Sequence, residues 1–146
     1  MSKAFEQAVQ LLARRAHSCH ELKIKLASQG FSDTEIEQAI IQCQQKGYQS
    51  DDQFVEHYAR YRVGQGDGPL KIRHALQQKG IASDLIRNHL STIDWYEQAI
   101  MVYGKKFAHA GSDINDFKTR QKQMRFMQSR GFDAEVIRAC FVNQED

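Results

Sequence analysis

Three places in the 146-residue chain hold side chains whose types could do chemistry. His17, Cys19 and His20, with Cys43 further on, are soft-metal ligand types. A zinc pattern needs a second ligand pair at regular spacing, and none follows, so no metal site is expected. Gly64-Gln65-Gly66-Asp67-Gly68-Pro69 has the glycine density of a phosphate-cradling loop. Such a loop needs a preceding strand and Gly-Lys-Ser/Thr opening the helix, or a surrounding βαβ unit, and neither context is present. The segment instead reads as an inter-helix connection with Pro69 at the first helical position, where its missing N–H costs nothing. Asp51 and Asp52 could serve as paired carboxylates, but they stand where a helix begins and its dipole favours them. The six His are scattered, and no Ser sits in a nucleophile-elbow sequence. No catalytic residue and no cofactor is assigned, and the chain is expected not to be an enzyme.

Cations carry more information. Within 105–130, Lys105, Lys106, Lys118, Arg120, Lys122, Arg125 and Arg130 face only Asp113 and Asp116. Arg60, Arg62, Lys71 and Arg73 flank the glycine loop with only Asp67 between them. The formal net charge of +2 conceals both groups. Basic stripes on helices can follow a phosphate backbone or meet an acidic protein surface. The expected partner contacts are therefore Arg60, Arg62, Lys71 and Arg73 with Lys118, Arg120, Lys122 and Arg125.

The elements that must position these residues are helices. One Pro, six Val and three Thr argue against a strand-rich fold. Ser18–Glu21, Ser32–Glu35 and Ser50–Gln53 match the capping box, and Gly30, Gly47, Gly80 and Gly131 each follow a helical run. Aligned on Gly30, Gly80 and Gly131, the chain repeats at spacings of 50 and 51 residues. Leu26, Leu76 and Met127 precede these turns, and Phe31, Ile81 and Phe132 follow them. Ile36, Ile86 and Ile137, then Ile40, Leu90 and Phe141, occupy the next apolar slots. A further helix stands before each pair, with stripes Phe5-Val9-Leu12, Phe54-Val55-Tyr58-Tyr61 and Tyr96-Ile100-Tyr103. The expectation is an all-α fold of nine helices in three tandem three-helix repeats, 4–46, 51–91 and 94–142, making an elongated or curved array. A polar stretch, His109 to Asn115, separates the first two helices of the third repeat, and Trp95 is expected to anchor a core.

Composition excludes several classes. Hydrophobic residues at 41% exclude wholesale disorder, and no apolar run reaches a membrane span. Met1–Gln10 carries Glu6 and Gln7 in an amphipathic pattern, so no signal peptide is expected. Three Cys without a close-spaced framework fit a reducing cytoplasm. Each helix–glycine–helix could be a major-groove reader. Yet Asp33, Glu35 and Glu37, and Asp133 and Glu135, open the second helices and would repel phosphates, which argues against sequence-specific reading.

Ser18-x-x-Glu21-Leu22-x-x-x-Leu26-x-x-x-Gly30-Phe31, Gly47-Tyr48-x-x-Asp51-Asp52-x-Phe54 and Gly68-Pro69-x-x-Ile72-x-x-x-Leu76-x-x-Lys79-Gly80-Ile81 closely resemble the RecX family, small bacterial regulators of the RecA recombinase. Arg130-Gly131-Phe132 is similar to the family's final repeat. The resemblance implies tandem three-helix repeats and no enzymatic activity. It implies a cytoplasmic protein of recombination, DNA repair and the SOS response that binds the RecA nucleoprotein filament, in its groove or at its growing end. Filament extension, ATP hydrolysis, strand exchange and coprotease activity would be restrained. DNA contact is expected to be weak and non-specific, with no membrane partner, and the chain to be a monomer. The alternative is a helical DNA-binding protein acting independently of RecA.

Overall fold

The computed structural model describes residues 2–108 and 116–145, with side chains described through Val142. The polar stretch His109–Asn115 lies outside the described residues. The helices are α1 (Lys3–Arg14), α2 (Cys19–Ser28), α3 (Asp33–Gln45), α4 (Asp51–Gly64), α5 (Pro69–Gln78), α6 (Ser83–Leu90), α7 (Trp95–Phe107), α8 (Phe117–Ser129) and α9 (Ala134–Glu145). Among the described residues there is no strand.

Local chemistry sets the helix ends. Ser18 and Ser32 each accept a bond from the N–H of the residue three on, and Glu21 and Glu35 accept from the serine N–H in return. Ser50 accepts from the N–H of Gln53 at 3.2 Å. These bonds satisfy donors that have no partner within the helix.

The chain divides into two compact units. Met1–Tyr58 with Leu76–Ile86 form the first, and Ala59–Ala75 with Arg87–Asp146 the second. Helices α4, α5 and α6 each contribute residues to both. In the first unit, α1 packs on α3 and α2 around Phe5, Ala8, Leu22, Leu26, Ile36, Ile40 and Cys43. In the second, α7 and α8 pack on α9 around Ala99, Tyr103, Met127, Phe132, Ile137 and Phe141.

Of the twelve repeating apolar slots, all but the half-buried Phe31 are buried. Truncating such a side chain to Ala costs about 2–5 kcal/mol. Two expectations for the preceding helices need correction. Tyr61 is 62% and Tyr96 43% exposed. At 100° per residue the buried arc of α7 centres between Ala99 and Val102, which leaves Tyr96 at its edge, while on α4 Tyr61 points about 160° away from the buried Ala59. Trp95 is half-buried against the α7–α9 core, its indole N–H donating to the Leu90 carbonyl at 3.0 Å.

Candidate partner-binding site

The glycine loop of the second unit is built around a buried acid. Asp67 is only 2% exposed. Arg62 Nε lies 2.6 Å from its Oδ2, while Lys71 Nζ and Arg130 Nη1 lie 3.4 and 3.9 Å from Oδ1. Three cations on one carboxylate leave a positive excess, and the pairing satisfies an acid that burial would otherwise penalise. The sequence singled out the cations beside the loop but not Asp67 as their organiser. The available signal was its position: one acid inside an otherwise basic stretch.

A second set of contacts joins helix ends, and it occurs twice. In the first unit, Ser18 Oγ donates to the Lys79 carbonyl at 2.7 Å, and Lys79 Nζ lies 3.4 Å from Glu21. A methyl on Gly80 would collide with His20. Within the second unit, the Gly68 N–H donates to the Arg130 carbonyl at 2.6 Å and the Leu70 N–H to that of Gly131 at 3.0 Å. A methyl on Gly131 would stand 2.6 Å from Lys71 Cβ. In repeat register, Ser18 corresponds to Gly68, Glu21 to Lys71, and Lys79-Gly80 to Arg130-Gly131. The same joint therefore pairs the free carbonyls at one helix end with donors at another helix start. Where Glu21 becomes Lys71, Arg130 has no carboxylate at that position and turns to Asp67 instead. Gly30, at the corresponding place in the first repeat, has open space around it. Gly30, Gly80 and Gly131 all have positive φ, at 94°, 76° and 102°.

The eight expected contact residues do not form one patch, although all belong to the second unit. Arg62 and Lys71 converge on Asp67, whereas Arg60 and Arg73 are exposed. Residues two apart on a helix point about 160° away from each other, which splits each pair. On α8, Lys118, Lys122 and Arg125 follow a 4,3 spacing on one exposed face beside Phe117, which is 71% exposed. Arg120 points the other way: its guanidinium lies 5.1 Å over the Phe141 ring. It packs with the core rather than joining that face.

Other chemistry-bearing side chains are absorbed by the fold. His17 is buried, with Nδ1–H donating to the Arg15 carbonyl at 2.9 Å and Nε2 accepting from Lys25 at 3.0 Å. Burial lowers its pKa. Asp51 accepts from the N–H of Cys19 at 2.8 Å and from the Gln49 amide at 2.9 Å. Burial pushes the Cys19, Cys43 and Cys140 thiols up, away from the reactive thiolate. Among the described residues no group of three or more His, Cys, Asp or Glu is placed to hold a metal. Also among them, no helix is long and apolar enough to cross a membrane.

Comparison with known proteins draws these features together. Residues 4–43, 50–90 and 93–141 match the family models of the first, second and third three-helix domains of RecX. The chain belongs to the RecX family. "Regulatory protein RecX" of Legionella pneumophila (strain Corby) is 46% identical over 143 residues, covering 97% of this chain and 94% of the relative. The protein of the same name from Pasteurella multocida (strain Pm70) is 42% identical over 137 residues, covering 92% and 83%. The crystal structure of RecX from Lactobacillus salivarius shares the fold at a TM-score of 0.85 and 20% identity, covering 98% of this chain and 95% of that one. A second crystal structure of a regulatory protein RecX matches at 0.77 and 21%, covering 92% and 68%. Within these bounds each glycine joint links the turn after the second helix of one three-helix domain to the start of the second helix of the domain before it: Gly80 to Ser18 and His20, and Gly131 to Gly68 and Lys71.

Proposed function

We propose that this chain binds the RecA nucleoprotein filament as a cytoplasmic monomer of three repeats, 4–46, 51–91 and 94–142, and restrains filament extension, ATP hydrolysis, strand exchange and coprotease activity. Family membership over nearly the whole chain carries this reading. The α8 face supports it, because Lys118, Lys122 and Arg125 present charge to an acidic surface without an acid on the same face. Arg60 and Arg73 would supplement it. The deciding experiment is RecA ATPase on single-stranded DNA with and without the protein. Wild-type protein lowers the rate, and an unchanged rate would overturn the reading. The triple reversal K118E/K122E/R125E weakens inhibition by about tenfold or more at unchanged helicity. Full inhibition by that variant would remove α8 from the contact.

The same face favours a second reading, RecA-independent DNA binding, since a cationic helix stripe can follow phosphates. Titration of salt against DNA alone separates the two. Tight affinity with a steep salt slope supports the second reading, and weak affinity the first.

A further inference from the structure

The second unit holds a cavity of about 270 Å³ that the α8 face does not use. Its lining is mixed, and the apolar part comes from Val102, Phe126 and Met101, which is 47% exposed. Three cations surround it, Lys105 and Lys106 from the last turn of α7 and Arg130 from the end of α8. Its remaining edge is the Val63–Gly66 stretch, where α4 ends. None of the described lining residues is acidic.

Two of the three cations have described contacts. Arg130 donates to the Gln65 carbonyl at 3.3 Å, approaches Asp67, and lies 5.3 Å over Phe126. Lys106 Nζ lies 5.1 Å over the same ring. Asp67, which Arg130 approaches, is shared with Arg62 and Lys71, so it does not neutralise the three cavity cations. The dipoles of α4, α7 and α8 ending here offset part of that charge, yet three full cations exceed the roughly half charge at each of the three carbonyl ends.

We propose that this cavity is the docking site for a short acidic peptide segment carrying one apolar side chain, with the apolar group in the hollow and flanking carboxylates on Lys105, Lys106 and Arg130. Charge complementarity selects an acidic occupant. One feature selects a peptide over a nucleic acid. The Met101, Val102 and Phe126 part of the lining suits an apolar side chain, which a peptide carries beside its carboxylates and a phosphodiester backbone does not. The inference rests on the proposed function only in taking the partner to be a protein, and it identifies the part of that partner by its chemistry.

The test uses the full chain and a fluorescent peptide of alternating Asp and Glu with one central Leu, followed by anisotropy. One control replaces the Leu with Gly, and another is an oligothymidylate of equal charge. The Leu peptide binds, the Gly peptide binds several-fold more weakly, and K105E/K106E weakens binding by about tenfold or more. Met101→Gln, an uncharged polar change at an exposed rim position, also weakens binding several-fold without touching the cation set, and far-ultraviolet circular dichroism verifies the fold of both variants. Equal binding of the two peptides, tighter binding of the oligonucleotide, or binding by neither peptide overturns the proposal. RecA inhibition retained without peptide binding refutes only this site. Peptide binding without RecA inhibition refutes the proposed function and leaves the site standing.

Discussion

At the scale of single residues, the three repeat glycines share a positive φ but not an environment. Gly30 has nothing near the position of a Cβ, whereas Gly131 faces the side chain and backbone nitrogen of Lys71 at 2.6 and 2.7 Å. Gly30→Ala therefore costs only the conformational penalty, about 1 kcal/mol. Gly131→Ala adds a collision with the first turn of α5 and costs about 2–4 kcal/mol. Urea unfolding of both variants measures the difference, and equal losses would show that the joint yields without cost. A glycine after a helical run was legible as a turn. Its second role, letting another helix start approach, was not, because that approach comes from residues about sixty positions away.

At the scale of elements, helix starts were the most legible feature, since a cap depends on four consecutive residues. The start of α2 also carries a pH dependence. Beside it, His17 is held neutral in the fold by burial first, with its carbonyl partner Arg15 opposing and the charges of Arg15 and Lys25 adding to the shift. The unfolded chain takes up the proton at the ordinary value of 6.5, before the folded chain does. The contribution is thus complete above pH 6.5 and declines as pH falls below it toward the lowered folded value. Burial pushes Glu21 up, but bonds from Ser18 and Arg15 and the charge of Lys79 outweigh it, leaving its pKa below the usual 4.5. Its contribution is present above 4.5 and lost at more acid pH. Urea midpoints at pH 7.5 and 5.5 isolate the histidine. His17→Gln shows a smaller drop between the two than wild type, and an identical drop would assign the effect elsewhere. The amphipathic stripes were less legible than the caps. Tyr61 and Tyr96 have the correct spacing, but the direction of the buried arc depends on which neighbour covers it.

At the scale of the molecule, charge divides unevenly. The first unit has seven Lys and Arg against nine acids, and the second thirteen against nine, within a chain of net +2. Both expected basic groups and the cavity lie in the second unit. Long-range attraction of an acidic partner should then be a property of that unit, and it should be screened by salt. RecA inhibition is expected to weaken between 50 and about 300 mM salt, with K118E/K122E/R125E showing a flatter dependence than wild type. A salt dependence unchanged by that reversal would place the steering charge off α8.

The sequence by itself determined the helices, their caps, the repeat and its apolar slots, and through the motifs the RecX family. These follow from local propensity and from periodicities that need no knowledge of the partner surfaces. Helix periodicity groups Lys118, Lys122 and Arg125, but tertiary structure alone decided which cations are engaged within the fold. It turned Arg120 onto Phe141, drew Arg62, Lys71 and Arg130 to Asp67, and left Lys118, Lys122 and Arg125 together on the outside. The physical reason is that a buried carboxylate and an aromatic face attract whichever cations folding brings within reach. That choice depends on contacts between residues up to 63 positions apart, such as Asp67 and Arg130.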